Sequence, residues 1–113
     1  MSDRTNKKKI RKPAANEYPS YAKMYIDLLP DDQLILDHLK ENFAGVRKFI
    51  LSLPPEKLNY RYKPGKWTIK EILVHIIDDE RIYAYRAMCF ARTEKTALPG
   101  FDQDEYAKYS GAD

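Results

Sequence analysis

The residues best placed to do chemistry lie on one stretch, GKWTIKEILVHIIDDERIYAYRA, residues 65–87, which holds one of the chain's two histidines. His75 and Asp79 are four residues apart, so on a helix they can touch. A carboxylate so placed orients an imidazole, a common arrangement behind a metal ligand. Asp78, Glu80, Arg81 and Arg86 complete the polar inventory of the stretch. Metal-assisted chemistry is the class these residues suggest, with His75 as candidate ligand. A catalytic zinc commonly takes three protein ligands and an open position for water, and only His38 and His75 offer ring nitrogens. The same His75 also reads as a structural or solvated ring at the edge of a packed helix. There is no HExxH, no HxxxH, no nucleophile elbow, no phosphate-binding glycine loop and no Cys/His cluster.

A sharp helix start positions this inventory. Thr68 followed by Glu71 is an S/T-x-x-E capping box, and Trp67 just before it can staple onto Ile72. No Pro or Gly interrupts the chain from there to about Thr93, and LPGFD at 98–102 predicts a turn. With Ile72 as zero and about 100° per residue, Leu73, Ile76, Ile77, Tyr83, Ala84, Ala87 and Met88 fall within an arc of about 160°. Glu80 falls in the middle of that arc, where a carboxylate is costly unless paired, hydrogen-bonded or metal-bound. His75 falls at its edge, beside Asp79 and Arg86.

An earlier helix is expected after Pro30, capped by Asp31 or Asp32 and running to about Leu53, where Pro54 and Pro55 stop it. Ile35, Leu36, Leu39, Phe43, Val46, Ile50 and Leu53 share one face, with Lys40, Arg47 and Lys48 outside it. His38 sits about 100° from the centre of that face and reads as a flank or surface histidine. Before Pro30, EYPSYAKMYIDLLPDD suggests a short helix or an extended lead-in. PPEKLNYRYKPGKWT connects the two long helices, and DQDEYAKYSGAD has room for one more turn of helix. Nothing alternates as a strand does. The fold class is all-α, two long helices plus short helical segments, part of an up-and-down bundle. Two helices alone bury little, so partners are required from the short segments or from a second copy.

Composition narrows the function classes. The 113 residues suffice for one domain, and 43% hydrophobic with 33% charged is ordinary for a globular protein. No apolar run approaches the roughly 20 residues of a membrane span, and MSDRTNKKKIRK lacks the apolar core of a secretory signal. The cytoplasm is the expected location. The single cysteine, Cys89, has no CxxC spacing and reads as a small apolar residue on a helix. The net charge of +3 is concentrated in residues 1–12, which carry six basic residues against Asp3. That run could grip phosphates, but no aromatic residues interleave with it and nothing else builds a basic face. A disordered, solvated tail over residues 1–12 is therefore expected, and nucleic acid is not an expected partner. The nine tyrosines could line a pocket with hydroxyls, or simply pack at helix edges.

YRYKPGKWTIKEILVHIIDDERIYAYRAMCFARTEKTALPGFDQDEY, residues 60–106, resembles the amino-terminal half of the DinB-like superfamily (damage-inducible, YfiT-related), and NEYPSYAKMYIDLLP resembles its start. The likeness covers residues 13–113. It implies a four-helix bundle, often dimeric, with a divalent metal such as zinc or nickel held by three histidines at one end. Family members are described as metal-dependent hydrolases or as thiol-dependent transferases and isomerases. By that resemblance His75 matches the first metal histidine, on the second helix. The HxxxH pair expected of the last helix is missing, and the chain stops at Asp113, about where a third helix should begin. The resemblance therefore implies an incomplete metal site in a domain truncated before its last helices. Its carboxy-terminal half or a second copy would have to complete the site. The alternative is a non-catalytic helical module that dimerises or binds a partner through its apolar stripes.

Overall fold

The computed structural model describes residues 7–112, which are helical wherever they are regular, with no strand among them. They divide into two compact units, residues 1–52 and 53–113.

In the first unit a 3₁₀ turn at Ser20–Ala22 leads into a single turn of helix, α1, Lys23–Ile26, and a long helix follows, α2, Ile35–Ser52. The helix begins later than Asp31 or Asp32 would suggest. Gln33 takes a left-handed φ of 63°, which no helix continues through. The Asp32 carboxylate instead accepts the Leu34 amide at 2.9 Å, and the Leu34 carbonyl accepts the first helical amides, from Asp37 and His38. At the far end the Ser52 hydroxyl donates to the Phe49 carbonyl at 2.6 Å, just before Pro54 and Pro55. The expected apolar face is present, but Leu36, Leu39, Phe43 and Val46 are all exposed and α2 buries no residue.

Of the basic tail expected over residues 1–12, residues 1–6 lie outside the described residues. Residues 7–12 have no regular secondary structure. The Ile10 amide donates to the Gln33 carbonyl at 2.9 Å, and Lys7 and Lys12 pair with Asp37 and Asp31. Arg11 grips Glu17 through both guanidinium nitrogens at 2.7 Å. That fork holds the Glu17 carboxyl down at about 2, with the Ala14 amide as a second donor.

The second unit is built on α3, Ile69–Ala91, preceded by a 3₁₀ turn at Pro55–Asn59 and followed by α4, Gln103–Lys108. Gly65 takes the left-handed φ of 76° that turns the chain into α3. The capping box forms as the spacing predicts: the Glu71 amide donates to Thr68 Oγ1 at 3.1 Å, and the Thr68 amide to Glu71 Oε2 at 2.7 Å. Thr68 is 2% exposed, the most buried polar residue described. Arg61 adds a guanidinium at 2.9 Å from Glu71 Oε2 and also donates to the Lys66 carbonyl, tying the connection to the helix start.

The end of α3 closes without glycine. Thr93 takes φ 55°, its amide donates to Phe90, and the Glu94 amide reaches back to Cys89. These two bonds make a Schellman closure. Asp102 then caps α4, accepting from Asp104 and Glu105.

The chain from 98 to 110 covers a face of α3 that the periodicity did not single out. Val74 and Asp78 line a cleft with Tyr106 and Tyr109, while Ile82 and Tyr85 line another with Leu98 and Phe101. That face lies about 160° around the helix from the centre of the Ile72–Met88 stripe. Cys89, at 7% exposure, and Ala107, at 6%, are the buried apolar residues among those described. The stripe itself stays open, with Ile72, Ile76, Ile77, Tyr83 and Met88 exposed.

Three stability changes are expected, each read by urea titration of the helical circular dichroism. Thr68→Ala removes a buried cap and costs about 1 kcal/mol. Glu71 is held below the ordinary carboxylate range mainly by the Thr68 amide, with Arg61 assisting against burial. A lowered folded pKa makes its stabilisation present above the unfolded value and lost as pH falls through the folded one. Glu71→Gln should therefore flatten the acid limb of the stability profile. Thr93→Gly relieves a β-branched residue of a left-handed conformation and is expected to stabilise by about 1 kcal/mol; destabilisation would show that the Thr93 hydroxyl contact to the Arg92 carbonyl outweighs the strain.

Candidate functional site

His75 sits on the second turn of α3, and Asp79 follows one turn later. His75 Nε2 lies 3.2 Å from Asp79 Oδ2, so the four-residue spacing brings together the pair it predicts. The Asp79 carboxylate thus stands beside one ring nitrogen of the imidazole. Both side chains are partly exposed, at 19% and 34%.

The sequence did not foretell the third member. The indole of Trp67 packs on the His75 ring, centroids 4.9 Å apart and planes tilted by 54°. The staple pattern pairs Trp67 with Ile72, one turn before His75; the indole is long enough to reach the ring beyond. Trp67 and Ile72 also share the wall of a cleft of about 680 Å³ with Arg61, Lys66, Asp104 and Lys108. Trp67 therefore touches both the His75 ring and that cleft.

The remaining polar residues of the inventory are spent elsewhere. Arg86 donates to the Pro99 carbonyl at 3.0 Å and lies 5.5 Å from the Tyr83 ring, so it anchors the turn after α3. Asp78 faces the α4 side. Glu80 is exposed in the middle of the open stripe, so the burial cost expected for it is absent from this chain. His38 belongs to the other unit and is bonded to Asp32, in keeping with its reading as a flank residue. Cys89 is buried on α3 as the small apolar residue expected.

Among the described residues, no three side chains of His, Cys, Asp or Glu converge as a metal site. One imidazole with one neighbouring carboxylate falls short of the three donors a catalytic zinc commonly takes. The donor set does not fit a complete centre, and no catalytic step follows from it.

An all-helical chain with an oriented histidine on its longest helix belongs to a recognisable class. The sequence profile of the DinB superfamily matches residues 38–112, well over half of the chain. The chain belongs to the DinB superfamily. It is 37% identical over 57 residues to a protein of Oceanobacillus iheyensis named "Putative metal-dependent hydrolase", a match covering 50% of this chain and 32% of the relative. A Geobacillus thermodenitrificans protein of the same name is 26% identical over 87 residues, covering 71% of this chain and 49% of the relative. The chain thus spans about a third to a half of the length of the curated relatives it matches. No solved structure matches it.

Trp67 is the sole tryptophan, so its emission reports on the His75 ring directly. His75→Ala is expected to shift the emission to longer wavelength as water replaces the imidazole against the indole. An unchanged spectrum would show that the two rings are not in contact.

Proposed function

We propose that this chain supplies one histidine ligand, His75, to the divalent metal site of a DinB-type metal-dependent enzyme, and that the remaining donors come from outside the residues present here. The observation that carries the reading is the His75–Asp79–Trp67 arrangement. An imidazole with a carboxylate beside one nitrogen and an indole against its face is a ring placed to be oriented for a ligand. Membership of the superfamily and the names of the relatives support a metal; zinc or nickel suits an imidazole donor. A bound metal would polarise a carbonyl or lower the pKa of a coordinated water or thiol. What the chain's own residues contribute is orientation: Asp79 stands beside one ring nitrogen, and the indole next to the α3 cap backs the ring.

The missing donors belong to a carboxy-terminal half, which the relatives' greater length leaves room for, or to a second copy of this chain. In this reading α2 and α3 are half of an up-and-down four-helix bundle acting in the cytoplasm, in line with a single buried cysteine. A second reading is favoured by a separate observation. Phe43 on α2 and Tyr83 on α3 are 68% and 61% exposed, so the open stripes also suit a non-catalytic module that dimerises or binds a helical partner. Apolar patches of this kind commonly mark interaction sites.

Metal content by mass spectrometry, with light-scattering mass on the same sample, separates the readings. Near-stoichiometric zinc or nickel that is lost in His75→Ala is expected if a site is assembled between chains. A metal-free dimer whose mass is unchanged in His75→Ala would overturn a site assembled between two copies and favour the interaction module.

A further inference from the structure

His38, which the metal reading does not use, is held in an unusual way. Its Nε2 lies 2.7 Å from Asp32 Oδ2, and its Nδ1 lies 3.4 Å from Glu41 Oε2. A neutral imidazole has one N–H and one lone pair, so it can donate to only one of two flanking carboxylates. The other carboxylate then faces the lone pair. Only the imidazolium donates from both nitrogens, so the surroundings are matched to the charged ring.

Asp32 is the residue through which this matters. One of its oxygens takes His38, and the other accepts the Leu34 amide at 2.9 Å. Between them sits Gln33, in the left-handed region at φ 63°. A glutamine holds that conformation only where its neighbours are fixed. The carbonyl that this turn presents accepts the Ile10 amide at 2.9 Å, and the Lys12–Asp31 pair at 3.1 Å lies beside it. His38 therefore supports, through Asp32, the turn onto which the amino-terminal segment hydrogen-bonds. Arg11 and Lys12 line the same small cavity as His38. Each is already matched by its own carboxylate, Glu17 and Asp31, so the field at the ring is set by Asp32 and Glu41.

We propose that His38 is a proton-operated latch, whose charged ring locks the Asp32–Leu34 turn and thereby holds the Ile10 segment on the start of α2. The direction of its pH response follows from its partners. The Asp32 hydrogen bond raises the His38 pKa against the effect of burial, and Glu41 adds to the rise. A raised folded value means that the latch is fully engaged below the unfolded pKa and released as pH climbs through the folded one. On the acid side Asp32 is held below its ordinary range, first by the Leu34 amide and then by His38. The latch stays closed until pH falls through that lowered value.

The test uses the full chain, isotopically labelled, followed by nuclear magnetic resonance. His38 is expected to titrate above 6.5 and to fall back toward that value in Asp32→Asn. Between pH 6 and 9 the protection of the Ile10 amide, normalised for intrinsic exchange, should drop about two- to fivefold, the range of exposed ion pairs. The Ile72 amide, bonded to Thr68 in the other unit, serves as the control and should not follow. In His38→Gln the Ile10 profile should be flat. An ordinary His38 titration, a flat profile in the parent chain, or the same fall in His38→Gln would each overturn the latch.

Discussion

The reciprocal bond between Thr68 and Glu71 is the contact on which the rest of the second unit depends. It satisfies amides at the mouth of a 23-residue helix and buries the one threonine that the chain around it covers almost completely. Through Glu71 it fastens Arg61, and through Arg61 the Lys66 carbonyl, so the connection before the helix is tied back onto its first turn. Trp67 is adjacent to the cap, and its indole packs on the His75 ring. The His75 ring is thus bordered on two sides, by a carboxylate one turn on and by the indole of the residue before the cap.

How much of this was legible follows from how local each signal is. The capping box, the Pro–Gly turn before it, the two long helices and the His75–Asp79 pair are all spacing rules within a few residues, and the structure places each of them as read. The late start of α2 was not legible, because it depends on a glutamine adopting a backbone conformation that its side chain gives no reason to expect. The end of α3 has the same character: Thr93 does what glycine or asparagine usually does, so composition put the boundary at about the right residue without showing the closure. The Trp67–His75 contact was missed because the staple rule names only one partner. Spacing left His75 open between a ligand and a structural ring, and the family resemblance supplied the match to a metal histidine.

Periodicity also misjudged which face of α3 the second unit uses. The strongest apolar arc faces outward, while the covered side is held by Val74, Ile82 and Cys89 with Tyr106, Leu98 and Phe101 above them. This is physically reasonable for a helix with apolar residues on more than one side, since a short segment such as α4 can cover only a narrow strip. Covering that strip leaves the broader arc for something larger. The matched segments span 32% and 49% of the family relatives.

Glu80 gives that open arc a rule of admission. It stands at the midpoint of Ile69–Ala91, in the centre of an otherwise apolar surface. Two copies of α3 laid antiparallel across a twofold axis at that level would press carboxylate on carboxylate, and like charges so placed repel strongly once water is excluded. An antiparallel pairing of two α3 stripes in that one register is therefore penalised, whereas a staggered pairing is not. A helix bringing a lysine, an arginine or a hydrogen-bond donor to the same height would meet no such obstacle, so a single acidic residue sorts correct neighbours from accidental ones.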